Sequence, residues 1–98
     1  MAFEIAIQPI ALIDVDETVS RYESELKGLG NKFLQSLSST LEKIKTNPYL
    51  YTSITNEVRR ALVKNFPYKV LFTIEAETVI VAVVHFGRSK RYLSRRMK

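Results

Sequence analysis

The chain has 98 residues, 46% of them hydrophobic and 26% charged, and its 15 basic and 10 acidic side chains give a net charge of +5. This length and composition indicate one folded globular domain over residues 1–98 rather than two domains or a disordered chain. The absence of cysteine excludes disulfides and thiolate metal sites. No signal-peptide pattern is present, and no apolar run approaches the about 18 residues of a membrane span. The sequence therefore predicts a soluble cytoplasmic protein without membrane contact.

The first predicted elements are a short strand and a long helix. Residues from Phe3 to Gln8 alternate in polarity and end at Pro9, which is typical of a strand. Beyond Pro9, five apolar residues recur at spacings of three and four and so share one helix face, namely Leu12, Val15, Val19, Tyr22 and Leu26. Acidic residues in the early turns complement the helix dipole, namely Asp14, Asp16 and Glu17.

A second helix is predicted directly after the first. The break from Lys27 to Gly30 ends the first helix, because glycine readily adopts the left-handed conformation found there. The second helix extends to Asn47-Pro48, and its apolar residues keep the same spacing, namely Phe33, Leu34, Leu37, Leu41 and Ile44. The two helices form an antiparallel hairpin whose apolar stripes need a sheet to cover them.

The second half of the sequence predicts that sheet. Three segments are rich in β-branched and aromatic residues, from Val58 to Val63, from Tyr68 to Glu75 and from Thr78 to Phe86. Their short links favour antiparallel pairing, and the apolar run from Val79 to Val84 suits a strand covered on both faces. The predicted class is α+β, in the order β-α-α-β-β-β: an N-terminal strand and an antiparallel helical hairpin on a mainly antiparallel sheet of three to four strands, then a basic tail.

The tail carries the excess positive charge. Six basic residues and no acidic ones follow Gly87, so the rest of the chain has a net charge of −1. Such a tail attracts an acidic protein or a polyanion, and an aromatic residue among the cations also permits stacking on a base. We rank protein binding before RNA contact, and a solvated terminus is the alternative. The candidate binding residues are Arg59, Arg88, Lys90, Arg91, Tyr92 and Arg95.

Three residues are candidates for chemistry. Arg59 and Arg60 are adjacent on a predicted strand, so their side chains point to opposite faces and only one can serve a given surface. Either arginine suits a phosphate or a carboxylate, and the alternative is a surface residue beside one that packs its stem. His85 is the sole histidine and precedes Arg88 by three residues; it suits general acid or base chemistry, or a structural hydrogen bond.

No other catalytic pattern is present in the sequence. It contains no glycine-rich phosphate loop, no serine elbow, and no histidine or cysteine cluster at metal-ligand spacing. We therefore predict neither a metal nor a cofactor.

The order of several short motifs resembles the RelE/ParE toxins of type II toxin–antitoxin systems, over nearly the whole chain. The helical hairpin and the Phe-Pro-Tyr strand entry favour the ParE-like branch. The motifs that carry the resemblance are Leu29-Gly30-Asn31-Lys32-Phe33-Leu34, Asn47-Pro48, Val58-Arg59-Arg60, Phe66-Pro67-Tyr68-Lys69-Val70 and Val83-Val84-His85-Phe86-Gly87-Arg88.

The resemblance implies a bacterial growth inhibitor that is neutralised by a cognate antitoxin in a hetero-oligomeric complex. Similarity to ParE implies a poison of DNA gyrase that needs no catalytic residues. Similarity to RelE implies instead a ribosome-dependent mRNA endonuclease that uses His85, Arg88 and Arg60. A third alternative is a degenerate member that binds antitoxin without being toxic, since one fold can carry unrelated activities.

Overall fold

The computed structural model describes residues 3–55 and 57–85, with side chains as far as Ala82. Its elements in chain order are β1 (Glu4–Ile7), α1 (Pro9–Glu25), α2 (Leu29–Thr46), a 3-10 turn (Pro48–Leu50), β2 (Ser53–Thr55), β3 (Val58–Leu62), β4 (Tyr68–Glu75) and β5 (Thr78–His85). The predicted α+β class and element order are confirmed. Neither described helix has the length and apolar character required to cross a membrane.

Within the described residues, the sheet has five strands in the order β1-β5-β4-β3-β2. β4 pairs antiparallel with both β3 and β5, whereas β1 pairs parallel with β5. β5 is therefore an interior strand, as its apolar run predicts. The additional strand is β2, whose three residues pair with β3 across a register shift. The sequence did not predict it because three residues carry too little periodicity to be distinguished from a loop.

The core lies between the two helices and one face of the sheet, which we call the helix-facing side. Four aromatic rings form its centre, with centroids 5.2 to 6.3 Å apart, in the range that aromatic pairs prefer. They belong to Tyr22 on α1, Phe33 on α2, Phe66 in the turn before β4 and Tyr68 at the start of β4. The Tyr68 hydroxyl also accepts hydrogen bonds from Arg21 and Thr18, so α1 is fixed to the sheet by polar contacts as well as by packing.

The buried face of α1 differs from the predicted one. Leu12 and Leu26 are 50% and 61% exposed, and the buried α1 residues are Ala11, Val15 and Thr18. Small residues at 11 and 18 allow the helix to approach the sheet closely, which turns Leu12 outward. Leu26 lies beyond the last helical residue in extended backbone, so the helical spacing no longer determines its direction. On α2 the predicted face is correct except at Leu34, which is 38% exposed.

The junction between the helices depends on Glu23. Its carboxylate accepts backbone hydrogen bonds from Gly28, at 2.8 Å, and from Gly30, at 3.0 Å. These amides belong to the first turn of α2, where a helix leaves its N–H groups without helical partners and where negative charge is stabilising. Gly28 has a φ of 89°, the left-handed conformation that the glycine-rich break predicts. A side chain of α1 therefore caps α2.

Gly30→Ala tests how closely the two helices approach each other. A Cβ at this position would lie 2.8 Å from the Val19 carbonyl oxygen and 3.0 Å from the Glu23 carboxylate. Alanine favours helix by about 1 kcal/mol over glycine, yet overpacking costs about 1–3 kcal/mol, so we expect the free energy of unfolding to fall. Urea denaturation measures it.

The control for this prediction is Gly28→Asn. No atom lies within 4 Å of a Cβ there, and asparagine tolerates the left-handed conformation. This variant should lose less than about 1 kcal/mol, because a few tenths is typical where strain is small. A Gly30→Ala protein as stable as the unmodified chain would show that the helices separate freely.

Candidate functional site

Arg59 is held in a structural contact on the helix-facing side. Its Nη1 donates a hydrogen bond to the Tyr51 carbonyl oxygen at 2.7 Å, and its guanidinium carbon lies 5.3 Å from the centroid of the Tyr49 ring. Tyr49 packs edge-on against Phe3, and Tyr51 packs against Phe72. Arg59 thus joins β3 to the segment that follows α2. Its predicted role in partner binding stays a prediction.

Arg60 points to the opposite side of the sheet, which we call the far face. It is exposed, and it pairs in register with Leu71 of β4. Lys69 of β4 pairs with Leu62 of β3, two positions along each strand, and so lies on the same face as Arg60. Partial burial lowers the pKa of Lys69, and the positive charge of Arg60 lowers it further. Two interacting cations therefore lie on this face, beside an apolar cluster of Val58, Leu71 and Ala82. The arrangement suits an anionic partner.

The remaining candidate residues are at the end of the described chain or beyond it. His85 is the last residue of β5, and its backbone pairs with Tyr68. Its side chain lies outside the described part of the structure. Five predicted binding residues also lie outside the described residues, namely Arg88, Lys90, Arg91, Tyr92 and Arg95. Their roles stay predictions.

A groove of about 790 Å³ lies between α2 and the turn that joins β3 to β4. We call it the lysine groove, because the charged residues that line it within the described part of the chain are Lys32 and Lys43 on α2 and Lys64 on the turn. Its remaining lining residues are Leu29, Gln35, Ser36, Ser39, Thr40, Tyr51, Leu62, Asn65 and Phe66. No acidic side chain is among these described lining residues, so they give the groove a positive electrostatic potential.

The base of the lysine groove is apolar and fixed in place. Phe66 lines it and is held by ring contacts of 5.2 Å to Tyr22 and Phe33, whereas Leu62, which pairs in register with Lys69 of the far face, only borders it. Thr40 links the two sides, since its hydroxyl donates to the Leu62 carbonyl oxygen at 3.4 Å. The groove is therefore a preformed feature that combines apolar contact with positive charge.

The sequence did not predict this groove, although the side formed by α2 has a visible pattern there. Lys32, Ser36, Ser39 and Lys43 recur at spacings of four, three and four, which defines a polar stripe on α2. The stripe predicts only a solvated helix face. Its other side, with Lys64 and Leu62, comes from a segment distant in sequence and brought close by the packing of β3 against α2.

Comparisons with known proteins identify the fold. No protein-family model and no curated protein matches the chain. Among solved structures, it is similar to a chain of the "Chromosomal ParDE TA system from P. aeruginosa", with a TM-score of 0.75 and 12% sequence identity over 86% of this chain and 96% of that one. The two chains share a fold, and the predicted RelE/ParE-like architecture is confirmed.

Metal-binding groups are absent from the part of the chain that the structure describes. No three histidine, cysteine, aspartate or glutamate side chains there are close enough together to hold an ion. The candidate surfaces in this part are instead cationic and apolar, a combination that suits binding of an acidic macromolecule.

Replacing the two adjacent arginines separates their roles. Arg59→Ala removes a charged hydrogen bond and a cation–π contact, so we expect the free energy of unfolding to fall by about 2 kcal/mol. Arg60→Ala removes an exposed side chain and should change it by less than about 0.5 kcal/mol. Chemical denaturation of both variants gives the comparison. A loss as large for Arg60 as for Arg59 would contradict the assigned contacts.

The pKa of Lys69 provides a test of the far face. Arg60→Gln removes a neighbouring positive charge, so we expect the pKa of Lys69 to rise towards its ordinary value. Titration of the Lys69 side-chain NMR signals measures the change. Arg59→Gln is the matched control, because it removes the same charge from the helix-facing side and should leave the pKa of Lys69 nearly unchanged.

Proposed function

We propose that this protein is the toxin of a type II toxin–antitoxin system, acting in the bacterial cytoplasm and neutralised by a cognate antitoxin. The observation that carries the proposal is the fold shared with a chain of a ParDE toxin–antitoxin structure, at a TM-score of 0.75 and over 96% of that chain. The motif order that resembles ParE-like toxins is independent support, because it rests on the amino-acid sequence alone.

DNA gyrase is the proposed target, which the toxin poisons by binding. Two cations of the far face, Arg60 and Lys69, provide a positive surface in the described chain, and the sequence adds six basic residues after Gly87. Gyrase with its bound DNA offers negative charge, which accelerates and strengthens association with such a surface. Binding of this kind needs complementary charge and shape rather than a catalytic group.

A ribosome-dependent mRNA endonuclease is the second candidate. The proximity of Arg60 and Lys69 favours it, since two adjacent cations on an open sheet face could stabilise the negative charge that develops on a phosphodiester during cleavage. In this mechanism His85 would transfer a proton and Arg88 would assist. A degenerate, non-toxic member that retains only antitoxin binding is the third candidate.

Controlled expression in a bacterial host, followed by two reactions with purified protein, tests the proposal. We expect growth arrest, accumulation of cleaved DNA in a gyrase reaction, and intact mRNA in a reconstituted translation reaction. We expect a large fall in the viable count, because poisoned gyrase leaves double-strand breaks in the DNA. His85→Gln should arrest growth as strongly as the unmodified chain, because no proton transfer is required.

The alternatives give different results in the same assays. Cleavage of mRNA that requires ribosomes, and that His85→Gln or Arg88→Ala abolishes, would replace gyrase by the endonuclease mechanism. Normal growth despite folded, soluble protein would reject toxicity altogether and leave the degenerate member.

A further inference from the structure

We propose that the outer edge of β1 pairs with β1 of a second copy of this chain, so that two sheets join into one. The inference goes beyond the proposed function and does not rest on it. The two strands would run antiparallel about a twofold axis at Ala6. Each copy contributes the same segment, Glu4–Ile7, so the contact closes on itself and forms a dimer.

The backbone of β1 has one edge that no neighbouring strand uses. β1 is at the end of the strand order, so within the described residues its strand partner is β5. The amides of Glu4 and Gln8 donate to carbonyl oxygens on the β5 side, at 2.9 and 3.2 Å. Because successive residues of a strand direct their backbone groups to opposite edges, the N–H and C=O groups of Ile5 and Ile7 point away from β5. They are available to a further strand.

This edge lacks the features that often prevent pairing between sheets. Protected edges carry a lysine, a proline or a bulge. None of these occurs from Glu4 to Ile7, and Pro9 lies beyond the strand in α1. The opposite edge of the sheet differs, because β2 has three residues and a register shift against β3. A further strand can therefore align regularly on β1 but not on β2.

A register centred on Ala6 makes the strand complementary to itself. Ile5 then lies opposite Ile7 of the second copy, and each N–H donates to the carbonyl oxygen of the other residue. The twofold axis repeats both hydrogen bonds at the symmetry-related pair. Glu4 lies opposite the Gln8 amide rather than a second carboxylate, so no like charges face each other. This self-complementarity selects a second copy as the partner.

The neighbouring residues disfavour the other symmetric registers. An axis at Ile5 would place Ile7 opposite Phe3, whose N–H already donates to the Lys45 carbonyl oxygen at 2.9 Å. An axis at Ile7 would place Ile5 opposite Pro9, which has no N–H to donate. Either shift leaves a carbonyl oxygen without its donor. The central register avoids both defects.

The central register also matches the two faces of the sheets. Ile5 and Ile7 are partly buried against the core, so on the helix-facing side each would cover the exposed part of the other. Ala6 alternates with them and is exposed on the far face, where its small side chain would meet its own copy. The far faces of both copies, with Arg60 and Lys69, would therefore form one continuous cationic surface.

The size of the contact predicts a weak dimer. Stable complexes bury about 1,200–2,000 Å² of surface, and a single pair of short strands buries less. We therefore expect a monomer in dilute solution and a growing fraction of dimer as the protein concentration rises. Sedimentation velocity over a series of concentrations measures this fraction.

Disulfide trapping tests the register directly, because the chain contains no cysteine of its own. Ala6 would face Ala6 of the second copy as a non-hydrogen-bonded pair, with Cα atoms about 4.5 Å apart. Disulfides join residues whose Cα atoms are about 4.4–6.8 Å apart. Mild oxidation of Ala6→Cys should therefore give a covalent dimer on a non-reducing gel, and it should form at least tenfold faster than with the control variant.

The matched control is Glu4→Cys, which places a thiol on the same strand and on the same exposed face. In the proposed register, Glu4 lies opposite Gln8, so the two copies of position 4 are about 14 Å apart along the strands. That separation is too long for a disulfide. Equal rates of dimer formation by the two cysteine variants would overturn the register.

Ala6→Lys tests the dimer without a thiol. It would place two positive charges opposite each other at the axis, so we expect the dissociation constant of the dimer to rise at least tenfold. Thr55→Lys is the control, because it adds the same charge at an exposed position of the other edge strand. The control should dimerise as the unmodified chain does, and urea denaturation confirms that both variants are folded.

Three further results would overturn the inference. Sedimentation as a monomer at every concentration would exclude the second copy. Equal weakening by Ala6→Lys and Thr55→Lys would mean that overall charge, not the β1 edge, controls association. Hydrogen exchange at the Ile5 and Ile7 amides that is slow at every protein concentration would mean that another part of the same chain covers the edge. None of these results affects the growth assay, so the proposed function is tested separately.

Discussion

The contact between the helical hairpin and one face of the sheet determines the rest of this structure. Four aromatic rings make it, and they come from three parts of the chain: Tyr22 from α1, Phe33 from α2, and Phe66 with Tyr68 from the entry to β4. Their mutual edge contacts fix the rotation of both helices and the point at which β4 begins. Phe66 belongs both to this cluster and to the lining of the lysine groove, so the core fixes one wall of that groove.

This one-sided packing explains why similar side chains have different tasks. The helices cover the helix-facing side, and the far face carries charged groups beside a small apolar cluster of its own. Strand alternation then assigns Arg59 to a structural contact and Arg60 to an exposed position. The adjacent pair looks like a duplicated binding residue in the sequence. The two surfaces of the sheet make them chemically distinct.

Local patterns account for how much of the fold could be predicted from the sequence. The apolar spacing of α2 and the β-branched runs of β3 to β5 are long, and they predicted those elements well. The orientation of α1 was wrong at Leu12, because the small side chains at Ala11 and Thr18 determine how closely it packs, and this is a tertiary property. The lysine groove was missed for the same reason: its two sides are distant in sequence.

The pairing of the first strand has a consequence for biosynthesis. β1 lies parallel to β5 with Glu4 opposite Thr78, a contact between residues more than seventy positions apart. Contacts of such long range close late, because the intervening chain must be ordered first. On the ribosome, β1 therefore stays without its β5 partner until translation has passed β5. The nascent chain cannot complete its sheet early, and any activity that needs the finished sheet begins only after synthesis has reached that point.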